Sequence, residues 1–247
     1  MSELSRPRWI VAHIAVLLIT VVFVNLGLWQ LRRLDQVRTE NAVAASRYLS
    51  PPADLQTLLD SVGEDTESLR YRRVTLTGRY DPDYELLTRN QVYQGIAGFH
   101  VITPLVPASG PTVLVNRGWV PLELDTPPID EAPPPAGEVT ATGWISLTQV
   151  RPPLGPTDPG GGTLDILSRV DIARIQDQVP YQLAPVYVVI DDGDELQLPV
   201  PVALPGFNDD GPHLAYSVQW FGFTLIGLVG YGFLIRRALR PRGARPE

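Results

Sequence analysis

Very few side chains here could do chemistry. His13, His100 and His213 are the three imidazoles, cysteine is absent, and Met1 is the one methionine. Disulfides, thiol redox and Cys-zinc sites are therefore excluded, and a soft copper site would lack its preferred sulfur ligands. No Gly-x-Ser-x-Gly turn offers a hydrolase nucleophile. Asp81/Asp83 and Asp191/Asp192/Asp194 could form paired carboxylates. They lie beside Pro82 and Gly193 in turn-like sequence, where solvated turn acids are the simpler account than glycoside chemistry.

His213 stands apart because it follows Asp209-Asp210-Gly211-Pro212 and opens a long apolar run, as expected at a helix start. A helix N-terminus disfavours imidazolium and leaves a ring lone pair free, which suits an axial ligand to haem iron. Asp209 and Asp210 push the other way, and a headgroup-contacting or capping histidine is the alternative reading. His13 lies about 15 residues deeper, ~22 Å along an antiparallel helix, so it cannot share a metal with His213. It is expected to bond a neighbouring carbonyl.

Two elements must position these groups. Residues 213–235 carry no charged side chain and match the ~20 residues needed to cross a bilayer. Tyr216 and Trp220 flank one end, and Tyr231 with Arg236 and Arg237 the other, the order expected at lipid–headgroup boundaries. Residues 9–29 form a second such run. A cleaved signal peptide is the alternative there, but the apolar core is long and no small-residue cleavage site follows. The arginines near both ends place both termini in the cytoplasm and the intervening residues outside. The short segment before the first span favours a bacterial plasma membrane over a mitochondrial one. The expected division is 1–8 cytoplasmic, 9–29 transmembrane, 30–212 extracytoplasmic, 213–235 transmembrane and 236–247 a cytoplasmic Arg-rich tail. Arg32 and Arg33 run against the charge rule, either as headgroup contacts or in a specific binding role.

Every basic residue besides histidine is arginine. Between Arg32 and His213 there are 13 Arg against 25 Asp and Glu, a net −12 within a total of −7. Such a domain has no electrostatic case for nucleic acid. The first helix should continue for several turns beyond Trp29 until Pro51-Pro52, with a short helix over 53–62. Strands are expected at 70–78, 84–88, 99–106, 112–120, 138–147, 164–170, 186–191 and 195–199, and a helix at 171–178 capped by Asp171. Of 25 prolines, 19 lie between Pro104 and Pro212, which excludes a helical bundle. The fold class expected is α+β, with two transmembrane helices flanking an antiparallel β-rich partial barrel or sandwich. The loops 125–137 and 151–162 should project into solvent.

Gly27-Leu28-Trp29-Gln30-Leu31-Arg32-Arg33-Leu34 resembles the G-x-W-Q-x-x-R-L signature of the Surfeit locus protein 1 family. Arg73-Val74 with Gly78-x-Tyr80-Asp81 resembles the first strand of that family. Gly98-Phe99-His100-Val101-Ile102-Thr103-Pro104-Leu105 and Val115-Asn116-Arg117-Gly118-Trp119-Val120-Pro121 resemble its central strands. His213-Leu214-x-Tyr216-x-x-Gln219-Trp220-Phe221 resembles the start of its last span. The resemblance runs from about residue 25 to 237. It departs at Arg169-Val170-Asp171, where a Trp is expected, and at Asp209 to Pro212, where an Asn is expected.

The resemblance implies a non-enzymatic assembly factor for haem–copper cytochrome c oxidase, aiding insertion of haem a into subunit I or stabilising that subunit. It implies His213 as the haem a contact and metal ligand, with Gln219 and Trp220 beside the porphyrin. Arg32, Arg33 and Arg117 are candidate partners for the propionates, since arginine pairs carboxylates through a planar fork. An equal reading makes Arg117 a structural residue closing a strand end, and Trp119 reads as packing. Subunit I, haem a synthase and the lipid bilayer are the implied partners. The alternative is a cofactor-free scaffold or a stably bound accessory subunit of a respiratory complex, for which the small residues Ser217, Thr224, Gly227 and Gly230 would suit close helix packing.

Overall fold

The structure, a computed structural model, describes residues 6–63, 65–191, 196–204 and 206–240. It divides into two units, Met1–Ala42 with Phe207–Glu247, and Val43–Gly206. The first unit holds most of helix α1 (Pro7–Leu49) and all of helix α4 (His213–Ala238). Both are long and apolar enough to cross a membrane. The 43 residues of α1 span about 65 Å, twice a bilayer's ~30 Å hydrocarbon. The helix stops at Leu49, as the prolines at 51 and 52 require, because a residue before proline is driven out of the helical region.

Among the described residues the second unit is a mixed sheet of eight strands: β1 (Ala53–Asp54), β2 (Arg73–Tyr80), β3 (Leu86–Tyr93), β4 (Ile96–Val106), β5 (Thr112–Pro121), β6 (Glu138–Leu147), β7 (Ile166–Leu167) and β8 (Leu183–Ile190). Neighbours run β1-β2-β6-β8-β5-β4-β3-β7, and β2 also pairs with β4 through Arg79 and Tyr80. That extra pairing closes β2, β6, β8, β5 and β4 into a ring, so of the two expected forms the barrel is observed. The expectation of a purely antiparallel sheet needs correction, because β1–β2, β3–β7 and β5–β8 are parallel. β8 reaches β5 only after the excursion of residues 122–182, and such a crossover delivers a strand in the same direction as its partner.

Alternation sorts the core into layers. Val74, Leu76, Val113, Val115, Ile145, Val186 and Val188 face the interior, where helix α2 (Leu55–Val62) adds Leu55 and packs Leu58, Leu59 and Val62. Asp54 caps α2, accepting hydrogen bonds from the Thr57 N–H and hydroxyl at 2.9 Å, so the helix starts at Leu55 rather than at residue 53. On the other face Leu114, Trp144, Tyr187 and Val189 lie beneath Ile172 and Ile175 of helix α3 (Ile172–Gln176), together with Tyr48. β5, covered on both faces, is buried from Thr112 to Val120. Asp171 caps α3 as expected, accepting from Arg174 N–H at 3.2 Å.

Both proline-rich loops are mostly exposed, as expected, but each is anchored to the sheet. Ile129 and Ala132 are buried against Leu87, Phe99, Val101 and Val120. Asp158, also buried, accepts from the Ser168 N–H and hydroxyl and approaches Arg89 at 3.4 Å. Asp191 is not a solvated turn acid either: it accepts from the Tyr48 hydroxyl at 2.9 Å and Arg73 at 3.0 Å. Leu196–Pro199 forms turns rather than a strand, and the rest of that expected strand lies outside the described residues.

A buried carboxylate, Glu85, accepts from the Thr103 hydroxyl (2.6 Å), Arg117 Nη1 (3.1 Å) and Ile129 N–H (2.8 Å). Arg117 Nη2 donates to the Ala132 carbonyl at 2.7 Å. The arginine reaches inward because β5 bulges: Gly118 pairs with Val101 but Asn116 with Ile102, leaving Arg117 as the extra residue. Gly118 has φ +133°, and a Cβ there would lie 2.3 Å from the Val200 carbonyl oxygen. Asn116 Oδ1 accepts the Gly118 N–H at 3.0 Å, so its amide nitrogen faces His100 Nδ1 at 3.1 Å and donates to it. The His100 proton therefore sits on Nε2. Burial lowers this imidazole to about 4.

Arg117→Leu is expected to strand the Glu85 charge and cost about 3–5 kcal/mol, read as a fall in thermal midpoint. Pairing it with Glu85→Leu should recover part of the loss; a single variant that melts with the parent would count against this ion pair as a keystone. His100 is neutral when folded and has an ordinary value near ~6.5 when unfolded. Its contribution is thus complete above that pH and is lost as pH falls toward 4. His100→Gln should flatten the pH dependence of the denaturation midpoint across this window.

Candidate functional site

Helix α4 starts at His213 after Pro212, which supplies no side-chain cap. The imidazole does not cap the helix. Its Nδ1 instead meets Gln30 Oε1 on α1 at 2.9 Å, and Gln30 is only 8% exposed. With an amide oxygen as acceptor, Nδ1 carries a proton, so Nε2 is the ring nitrogen that could meet a metal. This is the arrangement in which a metal-binding imidazole is oriented by a hydrogen bond from its other nitrogen. The two acids ahead of it are engaged elsewhere. Asp210 pairs with Arg38 at 2.8 Å, and Asp209 accepts the Gly211 N–H at 2.8 Å. Asn41 also donates to the Asp209 carbonyl at 3.1 Å.

One turn along α4, buried Ser217 donates to the Gly27 carbonyl at 3.1 Å. Gly27 is required there, since a Cβ would stand 2.7 Å from the Phe221 ring. Trp220 is half-buried and packs on Phe23 with ring centroids 5.3 Å apart, while Gln219 is exposed. Of the expected small-residue ribbon, Ser217 makes an interhelical contact and Thr224 bonds back to its own helix at Trp220. Gly227 and Gly230 face open space. At the far end His13 bonds the Tyr231 hydroxyl, not a backbone carbonyl.

Arg32 and Arg33 are exposed and follow Gln30 and Leu31 on α1, with Arg33 4.0 Å from Glu40. Arg117 lies in the β unit with its guanidinium committed to Glu85 and Ala132, which fits its structural reading and not a propionate contact. Among the described residues no group of three or more His, Asp or Glu could hold a metal ion, so His213 would act as a single protein donor. Gln30 is the residue beside His213 that residue-by-residue reading does not single out. Its signal was a buried-type amide at the end of an apolar helix, level with the start of an antiparallel partner.

The fold and this geometry define a protein with two potential membrane-spanning helices and a closed-ring β domain, presenting one hydrogen-bonded imidazole at a helix start. A family profile described as the SURF1 family matches residues 17–225. An uncharacterised SURF1-like protein of Mycobacterium tuberculosis is 31% identical over 245 residues, covering 98% of this chain and 89% of its own. SURF1-like proteins of Monosiga brevicollis and Rickettsia felis are 35% and 30% identical over 139 and 109 residues, covering 52% and 43% of this chain and 50% and 45% of their own. The chain belongs to the SURF1 family.

Gly27→Val should force the two helices apart at Phe221 and lower the thermal stability of the detergent-purified protein. Gly222→Ala, where the added methyl meets nothing within 4 Å, should not. Equal stability of the two variants would show that the Gly27 contact does not hold the helices together.

Proposed function

We propose that this protein is a membrane-bound assembly factor for haem–copper cytochrome c oxidase, which holds haem a transiently or holds subunit I in a state that accepts it. Family membership supports the oxidase role. The observation that carries the cofactor reading is the His213–Gln30 pair, which occupies Nδ1 and leaves Nε2 as the nitrogen that could meet a metal at a helix N-terminus.

Haem a, when bound, would supply an iron able to accept an imidazole nitrogen. His213 would be that donor, with Gln30 fixing its ring orientation and protonation. Arg32 and Arg33 would hold the propionates by charge-assisted hydrogen bonds. Gln219 is exposed on the same helix for a polar contact, and Trp220 offers its ring edge beside Phe23. These residues fit the group; Arg117 does not. No bond-making step is assigned to the chain.

The large apolar side chains of both helices, Ile10 to Val22 and Leu214 to Leu234, are exposed over a continuous surface that water would disfavour, which supports insertion in a bilayer. The arginines at both ends favour cytoplasmic termini and an extracytoplasmic β domain in a bacterial plasma membrane. Subunit I and haem a synthase are the partners this role requires. A cofactor-free scaffold or accessory subunit is the second reading, favoured by the open face at Gly227 and Gly230, where a third helix could approach closely.

In cells making haem a, the detergent-purified protein should carry haem a absorbance. His213→Ala should remove it, and Gln30→Leu should weaken haem retention by about 10–100-fold, with both variants still in the membrane fraction. Unchanged haem content in His213→Ala would end the cofactor reading. Absence of haem from the parent, with oxidase still dependent on the protein, would select the scaffold.

A further inference from the structure

The hairpin of β3 and β4 outruns its neighbours. β7 covers β3 only at Leu87 and Thr88, and β5 covers β4 no further than Gly98, so residues 92–97 have no strand on either outer side. Gln94 and Gly95, with φ +48° and +83°, turn the chain between the paired Tyr93 and Ile96, as two-residue hairpin loops require. The stem is braced. Trp119 packs on Tyr93 with ring centroids 5.5 Å apart, and Gly98 admits the indole, since a Cβ there would lie 2.4 Å from Nε1.

The tip is apolar on both faces. Successive strand residues point opposite ways, so Val92 and Ala97 share one face and Tyr93 and Ile96 the other. Val92 is 68% and Ile96 59% exposed, and Ala97 is exposed beside them. No Asp, Glu, Lys or Arg occurs from Asn90 to Asn116. The tip's amides are used locally: Gln94 donates to the Tyr93 hydroxyl and Gln91 to the Arg89 carbonyl, each at 3.1 Å. A protein partner would grip one face of such a finger. A lipid layer wets both, and tyrosine suits the headgroup level.

Connectivity brings a bilayer within reach. The hairpin points toward the end of the sheet that holds the start of β4 and the ends of β5 and β8. Both chain connections of the β unit meet the sheet there. Tyr48, in the last turn of α1, bonds Asp191 just past β8, and Val200, on the segment leading to α4, pairs with Trp119.

We infer that the β3–β4 tip rests in the headgroup layer of the lipid bilayer, a third attachment besides α1 and α4. The inference rests on reading those helices as membrane spans. The unpaired backbone of residues 92–97 needs water and keeps the tip out of the hydrocarbon core. Glu123 and Asp125, exposed beyond β5, restrict the contact to the tip.

Because the chain has no cysteine, single added thiols can be labelled in the full-length protein. Ala97→Cys at the tip, Ser109→Cys in the turn at the opposite end of β4 and Val218→Cys in α4 would each carry a nitrobenzoxadiazole dye. Phosphatidylcholine nanodiscs with lipid spin-labelled near the headgroup supply the quencher. The dye at 97 should be quenched at least half as strongly as at 218, and the dye at 109 not at all. Val92→Asp, at an exposed position, should remove most of the quenching at 97 and leave that at 218 unchanged. Quenching at 218 but not at 97 would overturn the hairpin contact while leaving the spans standing. Equal quenching at 109 and 97, or unaltered quenching at 97 in Val92→Asp, would overturn it too. Shielding of 97 in native membranes but not in nanodiscs would assign the tip to a protein partner instead. No quenching at 218 would defeat the span reading and this inference with it.

Discussion

A carboxylate with no access to solvent governs the β unit. Ionised Glu85 is tolerable only because a hydroxyl, a guanidinium and a backbone N–H converge on it, and these come from β4, β5 and the loop after β5. The loop is drawn in by the same demand, with Ile129 supplying a donor and Ala132 receiving the second arm of Arg117. The bulge at Gly118 turns Arg117 toward this centre and leaves Asn116 to orient His100. One desolvated charge thus sets the register of β4 against β5, the course of a proline-rich loop and the tautomer of a distant histidine.

Much of the architecture was legible because it rests on local rules. Charge-free length predicts the two long helices, Pro51-Pro52 predicts where α1 stops, and alternation locates most of the strands. What escaped depends on partners far away in sequence. Alternation reports which face a side chain takes but not the direction of the neighbouring strand, so the parallel entry of β8 beside β5 was hidden. Proline-rich composition was read as solvated loop, yet Ile129 and Asp158 bind those loops back onto the sheet. Asp191 looked like one of several turn acids until Tyr48 and Arg73 met it across 143 and 118 residues.

The candidate site shows the same split. His213 was conspicuous as a lone imidazole at a helix start, whereas Gln30 became visible only once α1 and α4 were aligned. Gly27 and Ser217 explain why that alignment holds. A glycine lets the Phe221 ring approach α1, and the serine hydroxyl bonds the backbone carbonyl it uncovers. Arginine chemistry divides by burial. Arg117 is used up inside the β unit, while Arg32 and Arg33 stay exposed on α1, Arg33 4.0 Å from Glu40.

The two long helices are joined by side-chain pairs at both extremities, Gln30 with His213 and His13 with Tyr231. These ties lie ~26 Å apart along α1, separated by 17 positions on one helix and 18 on the other. Sliding one helix past the other by a single residue would turn its face by about 100° and break both ties at once. In a bilayer, the pair therefore cannot telescope to match the local thickness. It must meet a thinner or thicker membrane by tilting as one body, and the imidazole at its rim would keep its depth relative to the opposite end whatever lipid surrounds it.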